Sequence, residues 1–208
     1  MPIVSDLYVA EIEFIEPLLG TAPDRETLAR FLQTRVPSPE RAEEEQRTAP
    51  KRRGEDEEGD DEAEVAGPVT GLHRDEHGPF LYDYMLMGYL RERGNQLREQ
   101  LGVKNLRAKI EYYVYLRPRR IYLHGQEGEP VVRTLRAQTP KGQRVTIAVS
   151  EQMLPGTTCT FEVQIVRNKE VTPEIVRTLL EFGELQGCGQ WRTGGFGRFR
   201  LLRWEAKG

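Results

Sequence analysis

Thirteen residues near the C-terminal end, Gly187-Cys188-Gly189-Gln190-Trp191-Arg192-Thr193-Gly194-Gly195-Phe196-Gly197-Arg198-Phe199, hold five glycines, two arginines and three aromatic side chains. Glycines at Gly187, Gly189, Gly194, Gly195 and Gly197 remove the Cβ that would keep a ligand from the backbone, so successive N–H groups could meet phosphate oxygens. Arg192 and Arg198 would add paired guanidinium donors, and Trp191 or Phe196 a ring on which a base can stack. The competing expectation is a tight corner between a helix and a strand, and Phe199 is assigned to the core on that ground. Phosphate loops of the dinucleotide or Walker type follow a strand and open a helix, and this one does the reverse.

A second basic stretch runs from Arg91 to Arg144, where thirteen Lys and Arg stand against five Glu, with Tyr112, Tyr113, Tyr115 and Tyr122 interleaved. Cations supply sequence-independent phosphate affinity and aromatic faces supply stacking, which is what single-strand binding needs. Arg119, Arg120, Arg133, Arg136 and Lys141 are the candidates for extending the track, the last three because a polar hairpin should project. The overall net charge of −3 hides this segregation. From Glu40 to Glu64 twelve acidic residues face five basic ones, a local −7 that leaves +4 on the rest.

Catalysis is not the reading these residues favour. The histidines are His73, His77 and His124. The weak candidates for an acid or base are His124, in a turn beside Gly125, and His73. His73 and His77 are four apart, but Gly78-Pro79 follows at once and no third ligand is evident, so no metal site is expected. Cys159 and Cys188 are too few for a zinc or disulfide framework and read as buried apolar residues. No cofactor is implied.

The elements that must position the loop follow from hydrophobic period. Tyr8, Ala10, Ile12 and Phe14 alternate with Glu11 and Glu13 as a half-buried strand. Asp24 to Gln33 reads as a short helix. From 37 to 68 the chain is acidic, proline-punctuated and nearly free of large apolar residues, which predicts a disordered loop within a single domain spanning 1–208. Phe80 to Leu101 has helical spacing closed by Gly102, with a break expected near Gly94. Tyr112 to Leu116 and Ile121 to Leu123 read as two strands hinged at Pro118, and 130–149 as an inserted β-hairpin turning at Pro140 and Gly142. Thr160 to Val166 is a further strand, and Thr172-Pro173 caps a helix that Gly183 ends. A last strand runs from Arg198 to Trp204. The order strand, helix, strand, strand, helix, strand predicts an α+β, ferredoxin-like (βαββαβ) antiparallel sheet with both helices on one face and the other face free for binding.

With these elements in place, the Gly-x-Gly-x-x-Arg-x-Gly-Gly-Phe-Gly-Arg-Phe run from Gly187 to Phe199 resembles the glycine-rich signature of the RAMP superfamily of CRISPR-associated proteins. The first strand ending in Glu16-Pro17-Leu18-Leu19 is similar to the opening of such proteins. The likeness is greatest to single-domain backbone-type subunits and their stand-alone phage or mobile-element relatives. It implies single-stranded RNA binding on a ferredoxin-like fold, with RNA favoured over single-stranded DNA. Self-association or a protein partner is left open. Two other functions stay in view, a metal-independent endoribonuclease on the same fold and an assembly factor that uses the acidic loop. No stretch of about 18 apolar residues is present, so no membrane partner is expected and the location read from the sequence is the cytoplasm, a host's if the protein is phage-encoded.

Overall fold

The computed structural model describes residues 4–23, 69–139 and 142–207, with the backbone alone for 69, 135–139 and 142–146. The expected helix at Asp24 to Gln33, the acidic segment 37–68 and Lys141 lie outside the described residues. In chain order the elements are β1 (Ser5–Phe14), β2 (Leu18–Leu19), β3 (Ala22–Pro23), β4 (Val69–Gly71), β5 (His73–Asp75), β6 (Gly78–Tyr82), α1 (Asp83–Leu97), α2 (Leu106–Tyr113), β7 (Val114–Arg117), β8 (Arg120–Tyr122), β9 (Glu127–Thr139), β10 (Gly142–Met153), β11 (Thr158–Val166), α3 (Pro173–Glu181) and β12 (Phe199–Ala206). The fold is mixed α+β with antiparallel sheets, and the chain divides into two compact units.

The first unit comprises Met1–Leu18, Phe80–Gln126 and Leu154–Gly208. Its four-stranded sheet has the order β12-β1-β11-β7, and every neighbouring pair is antiparallel. Alternation in β1 buries Ala10, Ile12 and Phe14, and the partner strands add Phe161, Val163, Ile165, Val114, Leu116 and Phe199 to the same core. Each of the Val, Leu, Ile and Phe side chains among them contributes about 1.5–3 kcal/mol when fully buried. Tyr89 of α1 ties the helical layer to this face. Its ring meets Phe199 edge-on at 5.0 Å, and its hydroxyl donates to the Leu179 carbonyl of α3 at 2.8 Å. Thr172 Oγ1 accepts from the Ile175 N–H at 3.4 Å, so the Thr-Pro start of α3 is formed as its sequence dictates.

Three readings are corrected here. Phe80 to Tyr82 belong to β6, which pairs antiparallel with β8, and α1 starts only at Asp83. The helix passes Gly94 unbroken, because the missing Cβ makes room for Ile110, whose Cδ1 would lie 2.4 Å from it. Tyr112 and Tyr113 end a helix rather than start a strand. Leu106 and Ile110, four apart, are the buried side of α2, and their packing on α1 overrides the β-preference of the aromatic run.

The sheet face opposite the core is not an open platform. Glu13 pairs with Arg200 at 2.6 Å, Glu11 with Arg203 at 3.4 Å, and Glu162 with Lys207. Carboxylates there repel phosphate and hold the cations that would attract it.

The second unit comprises Leu19–Pro79 and Glu127–Met153. β9 and β10 form an antiparallel hairpin longer at both ends than expected, and β4 runs parallel to β10 with β3 on its far edge. Gly20 crosses Gly71 so closely that a Cβ would lie 2.2 Å from the Gly71 carbonyl carbon. Arg74 sits between Glu127 at 3.0 Å and Glu151 at 2.7 Å, and the same Glu151 oxygen accepts the Leu72 N–H at 2.9 Å. No helix among the described residues is long and apolar enough to cross a membrane.

Candidate nucleic-acid interface

The glycine-rich segment connects α3 to β12, after a 3₁₀ turn at Phe182–Glu184. Two of its glycines make a chain crossing. A Cβ on Gly187 would lie 2.0 Å from the Gly197 carbonyl carbon, and one on Gly197 would lie 2.0 Å from the Cys188 oxygen. The crossing is closed by Cys188 N–H donating to Gly197 O at 3.0 Å and Gly197 N–H donating to Pro17 O at 2.8 Å. Gly187 and Gly197 therefore build the loop rather than expose it. Phe199 is fully buried, in keeping with the corner expected for it. Cys188 is buried as well, and burial pushes its thiol up to about 12, so it is no nucleophile at neutral pH.

The remaining glycines serve the loop tip. Trp191 takes a left-handed φ of 53°, and Gly194 lies beneath its ring, where a Cβ would be 2.7 Å from Cε2. Gly195, at φ +88°, closes the 3₁₀ turn Arg192–Gly194 by donating to the Arg192 carbonyl at 3.0 Å. Gly189 is also at positive φ. The indole of Trp191 stacks on Phe196 at 5.1 Å and 17°, yet 42% of the residue remains exposed.

The two loop arginines differ. Arg192 pairs with Glu92 on α1, whose other carboxylate oxygen lies 2.8 Å from the buried Arg93. Arg93 also donates to Gln186, which moors the start of the loop to the helix. Arg198 makes no ion pair among the described residues. Its guanidinium lies beside Gly195, with one terminal nitrogen 3.6 Å from where a Cβ would stand, and its Nε is buried with no acceptor among the described residues. Its own carbonyl accepts from Ile15 N–H at 2.9 Å and fixes its backbone to the end of β1. A buried donor without a partner costs about 1–3 kcal/mol.

The extended track is brought together only in part. Arg119 is 61% exposed in its side chain, bound to Asp83 at 2.7 Å, and its guanidinium stands 5.2 Å from the centres of both the Tyr82 and Tyr84 rings. These two rings stack at 5.2 Å and 15°. Arg120 covers Phe80 at 5.3 Å. Arg133 does not project. It is 6% exposed, with Nη2 donating to the fully buried Ser150, while its strand neighbour Val132 is 66% exposed. The pleat turns this strand's cation inward, and desolvation lowers its pKa. Arg136 is described only as backbone opposite Val145, and Lys141 lies outside the described residues.

The histidines stand in different settings. His73, in the second unit, is half-buried, and desolvation lowers its pKa to about 4, so it is neutral at pH 7. His124, in the first unit, is exposed, and its backbone bridges Thr158 at 2.8 and 2.9 Å. No group of three His, Cys, Asp or Glu among the described residues is arranged to hold a metal ion.

Tyr84 and Glu92 were missed by sequence reasoning. Tyr84 lies off the apolar stripe of α1 and gave no periodic signal, although the Tyr82-Asp83-Tyr84 triplet before a helix was visible. Glu92 carries no signal in the sequence beyond its charge.

No protein-family model matches the sequence, and no curated protein matches it. Among solved structures, the chain aligns with one from the cryo-EM structure of the Type III-B Cmr-beta bound to cognate target RNA, at 13% identity and a TM-score of 0.52. The alignment covers 97% of this chain and 60% of that one, so this chain spans about three fifths of its neighbour's length. At that identity, what the two chains share is their fold.

Proposed function

We propose that this chain is a non-catalytic, single-stranded nucleic-acid-binding protein that takes RNA in preference to DNA and holds it at the Gly189–Arg198 loop tip of a ferredoxin-like, RAMP-type domain. The observation that carries the reading is Arg198: a guanidinium beside the open backbone at Gly195, whose buried Nε has no acceptor among the described residues. A phosphate oxygen would relieve that cost and neutralise the charge. Trp191, exposed on its Phe196 support, supplies the stacking surface beside it.

Two further observations support the reading. The strand order β12-β1-β11-β7, with α1 between β1 and β7 and α3 between β11 and β12, supports the split βαβ part of this reading. The Cmr-beta neighbour of like fold was solved with cognate target RNA bound. Incorporation into a larger RNA-bound assembly, with the β9–β10 hairpin and the segment 37–68 as accessory parts, belongs to the same proposal.

The test is fluorescence anisotropy of matched single-stranded and duplex RNA and DNA oligomers across a salt series, with wild type and Arg198→Ala. Tight, salt-sensitive binding of single strands is expected, strongest for RNA and weakened about 10- to 100-fold in the variant, the range a charge-assisted hydrogen bond supplies. Absence of binding to every oligomer at low salt would refute the proposal.

A further inference from the structure

Of the two glycines inside α1, Gly88 meets no packing demand among the described residues. Gly88 is exposed, and a Cβ built on it meets nothing within 4 Å. Gly94 in the same helix admits Ile110, but Gly88 admits nothing among the described residues. Glycine inside a helix is less stable than alanine, so this position gives up stability without an internal return.

Gly88 lies midway between two stations built alike. Four residues before it is Tyr84, half exposed, stacked on Tyr82 and flanked by Arg119. Four residues after it is Glu92, which holds Arg192 next to Trp191 and its Phe196 support. Positions 84, 88 and 92 are successive i, i+4 neighbours on one side of the helix. At about 1.5 Å rise per residue they span on the order of 12 Å. Each station joins one exposed ring on a stacked partner to an arginine oriented by an α1 carboxylate, Asp83 or Glu92. That contact occupies one of the five N–H donors of each guanidinium.

From this geometry we infer that single-stranded RNA leaves the glycine loop along α1, passes over Gly88 where no described side chain blocks it, and places a second base on Tyr84 beside Arg119. The inference rests on the function proposed above and adds its second subsite and direction. Charge and stacking together select the occupant: two rings and two cations a few nucleotides apart match alternating bases and phosphates, whereas an apolar helix or strand would find no continuous apolar stripe here.

The experiment measures affinity of the full chain for oligouridylates of about 4 and about 12 nucleotides, inside the usual ~4–16-nucleotide range of single-strand sites. Variants are Tyr84→Ala and Gly88→Gln, the second a helix-stabilising change that fills the path. Thermal melting accompanies both, and Gly88→Gln is expected to melt no lower than wild type. The expected result is about a 5- to 100-fold loss for the longer oligomer in each variant, with the shorter one bound as by wild type. Wild-type affinity of both variants for the longer oligomer would overturn the second subsite while leaving the loop reading intact. Failure of the wild-type protein to bind either oligomer would overturn the loop reading, and the subsite with it.

Discussion

Arg198 in the glycine-rich loop and Arg133 in the β9–β10 hairpin are both arginines with little solvent around part of the guanidinium, and they have opposite fates. Arg133 turns inward to donate to Ser150, and its strand offers Val132 to solvent instead. Arg198 is half-buried beside Gly195 and makes no ion pair among the described residues. Cation count therefore says little about where phosphate binds. What separates the two is where the terminal nitrogens go: one of Arg133's is held by the buried Ser150, whereas Arg198's stand beside the side-chain-free Gly195.

The largest expected effect breaks the loop itself. Gly197→Ala puts a Cβ 2.0 Å from the Cys188 oxygen at a φ of +68°, and should cost upwards of about 3 kcal/mol, read as a lowered denaturation midpoint. The next sharpens the contrast between the arginines. Arg198→Ala should lose about 1.5–3 kcal/mol of RNA affinity with little change in melting temperature, whereas Arg133→Met should leave RNA affinity within about twofold. Equal losses in the two variants would sink the distinction. Tyr89→Phe, which removes the donor to Leu179 O behind the loop, should cost about 1 kcal/mol of stability by chemical denaturation and leave the salt dependence of binding unchanged. Glu92→Gln should tighten RNA binding by a factor of about 2–5 by releasing Arg192 from an exposed ion pair.

A further effect separates the two units by pH. His73 titrates at about 4 when folded against a reference of 6.5, so its neutral form stabilises the second unit above pH 6.5 and that contribution drains away as pH falls from 6.5 through 4. Melting followed across this window should show a drop that His73→Gln abolishes. An unchanged profile in that variant would remove His73 as its source.

Parts of this molecule were legible from residue order because they depend on neighbours in the chain. The alternation from Tyr8 to Phe14, the Thr172-Pro173 cap and the oddness of the Gly187 to Phe199 run are all local facts, and each marks a real feature of the fold. α2 was not legible. Its aromatic end favours a strand, and only the fit of Ile110 against Gly94 makes it a helix. Among the site residues, sequence placed Trp191, Arg192 and Arg198 on one loop but had no means of distinguishing the arginine claimed by Glu92 from the one left without a carboxylate.

By itself, then, the sequence determined the inventory: which segments could be strands or helices, and where glycine, arginine and aromatic residues were concentrated enough to meet a polyanion. Only tertiary structure decided which glycines are spent on a chain crossing, which arginine turns inward, and that Tyr84, Gly88 and Glu92 line up between Arg119 and Arg192. The physical reason is that propensity and periodicity act over a few residues, whereas desolvation, ion pairing and close backbone approach depend on groups about 100 positions apart, as Glu92 and Arg192 are.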